Sequence, residues 1–173
     1  MPKLASNTIE YAITETAFAM ILLARSEQGV CALLLGDTQG ELYADLQQRL
    51  PKAQLIRNDA ALASLLTTVT DFLTAPLTPL DFKLDIQGSD FQKSVWAILR
   101  SIPVGSTLSY TDIAELLHKP TAVRAVANAC AANPLALVIP CHRVLRADGG
   151  ISGYRWGVER KRALLAQEQH ARQ

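Results

Sequence analysis

Two apolar runs near the start of the chain restrict what its first part can fold into. The runs TAFAMILLA (residues 16–24) and VCALLLG (residues 30–36) flank the polar stretch RSEQG, whose Gly29 can close a hairpin. Strands of this kind need apolar runs of about this length, bounded by turn residues. We therefore predict that residues Thr8 to Gly36 form strands.

Helical periodicity follows these strands. Leucines four apart predict a helix from Glu41 to Leu50, and a clearer apolar stripe predicts another from Asn58 to Thr74. The first part is thus a small sheet plus helices, which makes the expected fold class α+β. A short strand from Phe82 to Ile86 comes after two prolines, and we place a boundary near residue 87. The expected domains are 1–87 and 88–173.

The charge of the chain differs between these two parts. Residues 1–87 carry six basic and ten acidic side chains, a net charge of −4, whereas residues 88–173 carry eleven and six, a net charge of +5. Such an asymmetry indicates two units, the second of which meets a polyanion. Chance scatter of a few charges is the alternative interpretation.

The second part is predicted to be helical. The stretch DFQKSVWAILRSI, capped by Ser89 or Asp90, predicts an amphipathic helix. Its buried face is expected to carry Phe91, Val95, Ile98, Leu99 and Ile102. Ser109 and Asp112 have the spacing of a capping box that opens a second helix, and Thr121 is expected to cap a third. The inward positions of these two helices are expected to be Ile113, Leu116 and Leu117, then Val123, Val126, Ala127 and Cys130.

Two short amphipathic helices joined by a tight turn form a candidate helix-turn-helix. The outer face of the later helix carries Arg124 and Asn128, one turn apart, with Lys119 just upstream. A helix N-terminus also offers unpaired N–H groups and a partial positive charge to phosphate. DNA binding is one interpretation, and a helical hairpin that binds nothing is the other.

The stretch NPLALVIPCHRVLR carries the strongest chemical signal. Of the three cysteines, Cys31 and Cys130 lie in apolar patterns that indicate packing or a pocket wall, and only Cys141 has polar neighbours. The spacings match no zinc-binding pattern, and an odd count argues against a disulfide framework. The sequence leaves open whether Cys141 is a core residue, the nucleophile of a cysteine hydrolase, or another activated thiol.

A cysteine thiol has a pKa near 8.5, so a reactive one needs a base or a positive field. His142 is adjacent, but neighbouring side chains of extended backbone point to opposite sides. It can reach Cys141 only if the turn at Pro140 folds it back, or through water. Glu168 is available to orient the imidazole. Arg143 is expected to tie down carbonyls or phosphates, and Asn133 to cap the preceding helix.

These motifs resemble a known family. The sequence IPCHRV after AVRAVANACAANP is similar to the methylated-DNA–protein-cysteine methyltransferases, which act on 6-O-methylguanine in DNA. The resemblance covers about Ser89 to Glu168 and is greatest to the alkyltransferase domain of the Ada-type branch. It implies a ribonuclease H-like first domain and a winged-helix-like second domain that holds the helix-turn-helix.

The resemblance also implies a role for each matching residue. Cys141 is the methyl acceptor, His142 is its base through water, and Glu168 is the acidic partner of that histidine. Tyr110 helps to rotate the nucleotide and protonates the leaving guanine, and Arg124 fills the gap left by the flipped base. The implied substrate contacts are Asn133, Val144, Cys130, Tyr154 and Arg155, and the implied DNA contacts are Arg124, Thr121, Asn128 and Tyr110. Many relatives have a small polar residue where this chain has Arg155.

The implied activity is irreversible transfer of one alkyl group to Cys141 from 6-O-methylguanine and 4-O-methylthymine in double-stranded DNA. The protein is expected to bind the minor groove as a monomer, with no cofactor and no metal. No apolar run approaches the roughly 18 residues of a membrane span, so a cytoplasmic location is expected. The residues leave open the preference among methyl, larger alkyl and thymine lesions, and whether the chain is half of an Ada-type regulator.

Overall fold

The computed structural model describes residues 7–151 and 153–172 of a mixed α+β chain with a small sheet and helices. Contacts between Cα atoms divide the chain into two compact units, the first ending at Ile86 and the second beginning at Gln87. Within the described ranges, no helix is both long enough and apolar enough to cross a membrane.

The first unit is built on a four-stranded sheet. Its strands, in chain order, are β1 (Thr8–Glu15), β2 (Met20–Arg25), β3 (Val30–Gly36) and β4 (Gln54–Arg57). The order across the sheet is β3-β2-β1-β4, with β4 parallel to β1 and the other pairs antiparallel. The predicted hairpin is confirmed. Gly29 is required in its turn, because a Cβ at this position would lie 2.5 Å from the carbonyl oxygen of Lys83.

Two helices, α1 (Gln39–Arg49) and α2 (Asp59–Thr74), pack against this sheet and confirm the helical predictions. The predicted strand from Phe82 to Ile86 is wrong, since only Leu84 forms a bridge, to Val30. The Val30 N–H donates to the Lys83 carbonyl and the Asp85 N–H donates to the Val30 carbonyl. The preceding residue, Gly29, already belongs to the turn, so no second residue pair extends the ladder.

The second unit is mostly helical. Its helices are α3 (Asp90–Arg100), α4 (Tyr110–Leu116), α5 (Val123–Ala131) and α6 (Val158–Arg172). A 3-10 helix, Cys141–Arg143, and a short parallel pair, β5 (Leu108–Ser109) with β6 (Val144–Leu145), complete it. Helix α5 packs on both α3 and α4, and the Trp96 indole N–H of α3 donates to the Ala129 carbonyl of α5 at 2.9 Å.

Most of the predicted helix starts and buried faces are confirmed. Ser89 caps α3 and Ser109 caps α4, each in a capping box, with Gln92 and Asp112 respectively. Val95, Leu99 and Ile102 are buried as predicted, whereas Phe91 and Ile98 are only half-buried. Trp96, which the periodicity did not assign to the core, is buried because its indole lies against α5.

Two predictions for α4 and α5 are wrong. Leu116 is 57% exposed instead of inward, because α4 ends at this residue and its buried side is formed by Ile113 and Ala114. Thr121 does not cap α5, since the turn continues to Ala122, whose N–H donates to the Lys119 carbonyl and which occupies the N-cap without a side-chain bond. The buried positions of α5 are accordingly Val126, Ala129 and Cys130, and Val123 and Ala127 are half-buried.

Ser109, which caps α4, and Thr121, which does not cap α5, allow a paired test of helix capping. We expect Ser109→Ala to lower the free energy of unfolding by about 1 kcal/mol, because it leaves an N–H of α4 without its acceptor. Thr121→Ala is the control and should change it far less. Urea unfolding followed by tryptophan fluorescence reports on this unit, since Trp96 and Trp156 both lie in it. Equal losses in the two variants would contradict the assignment of caps.

Candidate functional site

The Cys141 thiol lies at the start of the 3-10 helix and is only 4% exposed. Its backbone N–H donates to the Ile139 carbonyl at 2.8 Å, and the Arg143 N–H donates to the Pro140 carbonyl at 2.9 Å. The backbone after Pro140 is therefore folded into a turn. The sequence predicted that His142 can approach the thiol directly only if the backbone turns at Pro140.

The Asn133 side chain stabilises this turn through hydrogen bonds. Its side-chain amide donates to the Ile139 carbonyl at 2.8 Å and to the Cys141 sulfur at 3.2 Å, and its oxygen accepts from the Leu135 N–H at 2.8 Å. The predicted helix cap at Asn133 is wrong, because the C-cap is Ala132. The left-handed conformation in this loop belongs instead to buried Leu137, at φ 71°.

Glu168 joins α6 to the turn through two basic side chains. Its Oε1 lies 2.7 Å from His142 Nε2, and Arg143 donates to both carboxylate oxygens at 2.9 Å. Burial would raise the pKa of Glu168, but the hydrogen bonds and charges of His142 and Arg143 outweigh it and bring the pKa to about 2. Arg143 also donates to the Ile102 carbonyl at 2.6 Å, which confirms its predicted role of tying down carbonyls.

The protonation of His142 follows from this arrangement. Burial lowers the pKa of His142 although Glu168 acts to raise it, so the ring is neutral at neutral pH. An ionised carboxylate can only accept, which places the ring proton on Nε2. The other nitrogen, Nδ1, then keeps a lone pair, and it is buried with no partner among the described residues. An imidazole of this kind can take up a proton at Nδ1.

The Cys141 thiol is not an anion in this resting state. Burial raises its pKa to about 11, against the opposing effects of the Asn133 hydrogen bond and the positive charge of Lys161. The thiol therefore carries its proton at neutral pH. Any reaction at the sulfur must remove that proton as the new bond forms.

A cavity of about 410 Å³ opens beside Cys141. Besides Cys141, four of the predicted site residues line it: Tyr110, Cys130, Tyr154 and Arg155. The remaining lining residues are small, namely Ala127, Ala131 and Gly153. Val144 does not line the cavity and is fully buried in β6, next to the 3-10 helix. The structure thus brings the thiol, two tyrosines and a second thiol to one space large enough for a purine base.

The predicted DNA contacts lie elsewhere on the unit. Arg124 and Asn128 are exposed on α5, and Thr121 is exposed in the turn before it. None of the three lines the cavity, whereas Ala127, Cys130 and Ala131 on another side of α5 do. One helix therefore carries an exposed polar face and part of the cavity wall.

Sequence reasoning missed two buried residues of the site. Lys161 is fully buried, with its Nζ 3.5 Å from the Gly153 carbonyl and 6.0 Å from the centre of the Tyr110 ring. Burial lowers its pKa, while the two nearby thiols act to raise it. Its spacing of seven residues from Glu168 on α6 was the available signal, because such a spacing puts both on one helix face. Trp156 packs edge-on against Tyr154, with ring centres 5.5 Å apart, and no sequence pattern indicated it.

Similarity to known proteins identifies the family of this chain. The family model for the DNA-binding domain of 6-O-methylguanine DNA methyltransferase matches residues 90–170. The methylated-DNA–protein-cysteine methyltransferase of Methanosarcina barkeri is 38% identical over 92% of this chain and 97% of its own length. The chain belongs to the methylated-DNA–protein-cysteine methyltransferase family. The resemblance stated from the sequence is confirmed.

Further relatives of the family show how much of a longer protein this chain matches. The bifunctional transcriptional activator/DNA repair enzyme Ada of Escherichia coli is 49% identical over 92% of this chain, but only 45% of the Ada sequence is matched. The chain therefore spans less than half of that relative. The crystal structure of Mycobacterium tuberculosis OGT in complex with DNA superposes with a TM-score of 0.81, at 31% identity and 94% coverage of both chains.

The described residues include no group of three or more His, Cys, Asp and Glu side chains that could hold a metal ion. The expected absence of a metal remains a prediction.

The buried ion pair predicts how stability depends on pH. A carboxyl whose folded pKa is lowered contributes stability above its unfolded pKa, and this is lost as the pH falls through the folded value. For Glu168 the loss is expected between pH 4.5 and about 2. Burial of neutral His142 acts in the same direction, because its lowered pKa favours unfolding below its ordinary value of 6.5.

Glu168→Gln is expected to flatten this acid dependence and to cost about 3–5 kcal/mol at neutral pH, since it leaves Arg143 buried without its partner. Glu159→Gln, on the exposed side of the same helix, is the matched control. Urea unfolding over a pH series measures both effects. An unchanged acid slope in Glu168→Gln would show that another group dominates the titration.

Proposed function

We propose that this protein repairs DNA by transferring the alkyl group of 6-O-methylguanine, and of 4-O-methylthymine, to Cys141. The observation that carries the proposal is the buried Cys141 thiol in the wall of a base-sized cavity. The next residue, His142, pairs with Glu168, and its buried Nδ1 has no partner among the described residues. The names of the relatives, methylated-DNA–protein-cysteine methyltransferase and Ada repair enzyme, support the same reaction.

The proton of the thiol leaves through His142. Nδ1 accepts it, through a water as the family resemblance implies, while the sulfur forms its bond to the methyl carbon. The resulting imidazolium is stabilised by Glu168, whose low pKa keeps it ionised at neutral pH. A neutral thiol that is deprotonated only during attack reconciles the raised pKa of Cys141 with its role as nucleophile.

The bond between the methyl carbon and the guanine oxygen breaks in the same step. Tyr110, in the cavity wall, is proposed to protonate the leaving guanine. Asn133 and the carbonyls of Cys141 and Val144 would orient the base, with Cys130, Tyr154 and Arg155 around it. The product thioether has no good leaving group through which the thiol could be restored, so each molecule acts once. The proposed reaction uses no cofactor.

A base inside a duplex cannot reach this cavity without leaving the stack, which costs a few kcal/mol. We propose that α5 enters the minor groove as part of a winged-helix-like helix-turn-helix and that Arg124 fills the gap left by the base. Thr121 and Asn128 would contact the backbone, which positions the protein without reading sequence. The net charge of +5 on residues 88–173 supports binding to a polyanion.

The first unit is proposed to have a ribonuclease H-like arrangement. An antiparallel β3-β2-β1 sheet followed by a parallel β4, with α1 between β3 and β4, supports this. We further propose that the two units correspond to domains 1–87 and 88–173 and that the protein acts as a cytoplasmic monomer.

The decisive experiment is incubation with an oligonucleotide that contains 6-O-methylguanine. We expect mass spectrometry to find one added methyl group on the peptide with Cys141, and Cys141→Ala to lose transfer while it still binds DNA. Cys31→Ala, in the first unit, is the matched control and should transfer normally. DNA binding with an unmodified Cys141 peptide would reject the proposal and leave a lesion-binding protein. Repeated turnover on an ester or a peptide would instead indicate a cysteine hydrolase.

Arg124→Ala tests the role of the exposed face of α5. We expect transfer from duplex DNA to slow by about tenfold, equivalent to roughly 1.4 kcal/mol of the unstacking cost. Transfer from the free alkylguanine base should slow much less, because no stack has to be opened. Arg162→Ala removes an exposed arginine from α6 and serves as the control for lost charge. Equal losses on both substrates would reject the proposed role.

A further inference from the structure

The cavity contains a second thiol that the proposed reaction does not use as a nucleophile. Cys130, near the end of α5, and Cys141 both line it, and both are buried thiols. Asn133 links the two positions: its N–H donates to the Cys130 carbonyl at 3.3 Å and its side chain donates to the Cys141 sulfur at 3.2 Å. Asn133 thus contacts the backbone of Cys130 and the sulfur of Cys141, and both thiols line one cavity.

The two thiols of this cavity also influence each other electrostatically. The negative charge of a Cys141 thiolate contributes to raising the pKa of Cys130, after burial, which has the larger effect. The buried Lys161 ammonium acts on both thiols in the opposite direction. The third cysteine, Cys31, lies in strand β3 of the first unit and has no part in this cluster.

We propose that Cys130 and Cys141 together form a binding site for trivalent arsenic, as arsenous acid or an organoarsenical. Each thiol replaces one hydroxyl group on arsenic: an S–H bond and an As–O bond break, and an As–S bond forms. The displaced hydroxide leaves with the thiol proton as water. Two such exchanges give a chelate in which the oxidation states of arsenic and sulfur are unchanged.

The state of the two thiols favours this ligand over the other partners of a cysteine pair. Burial raises the pKa of Cys130 to about 12 and of Cys141 to about 11, so both thiols are protonated at neutral pH. Disulfide exchange needs a thiolate nucleophile, whereas the exchange on arsenic consumes the proton of each thiol. Zinc sites need three or four protein ligands, and the described residues hold no cluster of three His, Cys, Asp or Glu side chains.

The site has a functional consequence that rests on the proposed function. Arsenic bound to both sulfurs occupies the cavity and engages the acceptor itself. Alkyl transfer to Cys141 should therefore stop when the chelate forms and return when it is removed. The binding of arsenic itself does not depend on alkyl transfer and can be measured without DNA.

The test is titration of the 173-residue protein with phenylarsine oxide in the absence of DNA, read by intact mass. We expect one phenylarsenic group to replace two hydrogens. The adduct should survive a chase with excess monothiol and be removed by a dithiol. Trypsin digestion should place the group on the peptide of residues 125–143, which contains both Cys130 and Cys141.

Single-cysteine variants separate the chelate from a bond to one sulfur. Cys130→Ala and Cys130→Ser should each bind phenylarsine oxide on the order of 100-fold more weakly in the presence of monothiol, because the second bond is no longer intramolecular. Cys31→Ala should retain the adduct. Retention that is unchanged in both Cys130 variants, or loss of the wild-type adduct during the monothiol chase, would overturn the proposal. A methyl-transfer assay on the same wild-type sample shows independently whether the proposed function holds.

Discussion

The Glu168 carboxylate is the interaction on which the arrangement of the site depends. It is buried and accepts hydrogen bonds from His142 and Arg143, which are consecutive residues of the 3-10 helix that begins with Cys141. One carboxylate thereby attaches helix α6 to the segment that carries the thiol. The neighbouring cation offsets the cost of burying its charge, and the same charge sets the tautomer of His142. Structure and chemistry of the site consequently rely on one group.

Reactivity at Cys141 is controlled by burial as much as by its neighbours. A thiol held at a pKa of about 11 is almost entirely protonated, and it therefore reacts slowly with electrophiles that require a thiolate. In the proposed reaction, the proton leaves when a substrate methyl group lies in the cavity and Nδ1 of His142 accepts it. Such a resting state would benefit the proposed single transfer, since each unproductive reaction would remove a molecule.

The local signals predicted the elements of the second unit well. Serines that begin capping boxes and apolar residues spaced by three and four predicted helices α3 and α4, because caps and stripes act within a few residues. The same reasoning failed where a helix meets its neighbours. Leu116 fits the apolar stripe of α4 but is exposed, and Trp96 lay outside the assigned face but is buried, since α5 determines which side of α3 is covered. The strand predicted around Leu84 was wrong for a related reason: a strand needs a partner strand that continues beside it, and here only one residue pair forms a bridge.

The sequence by itself determined the family. Through the family resemblance, it also indicated which cysteine, histidine and glutamate to expect at the site. It also determined that a turn or a water was needed to connect His142 with Cys141, because adjacent side chains diverge in extended backbone. Only the tertiary structure decided that Pro140 is followed by a 3-10 helix, that the Asn133 side chain bonds to it, and that Lys161 is buried with its ammonium near the Gly153 carbonyl. These facts arise from packing between segments far apart in the chain, and local sequence patterns contain no information about such contacts.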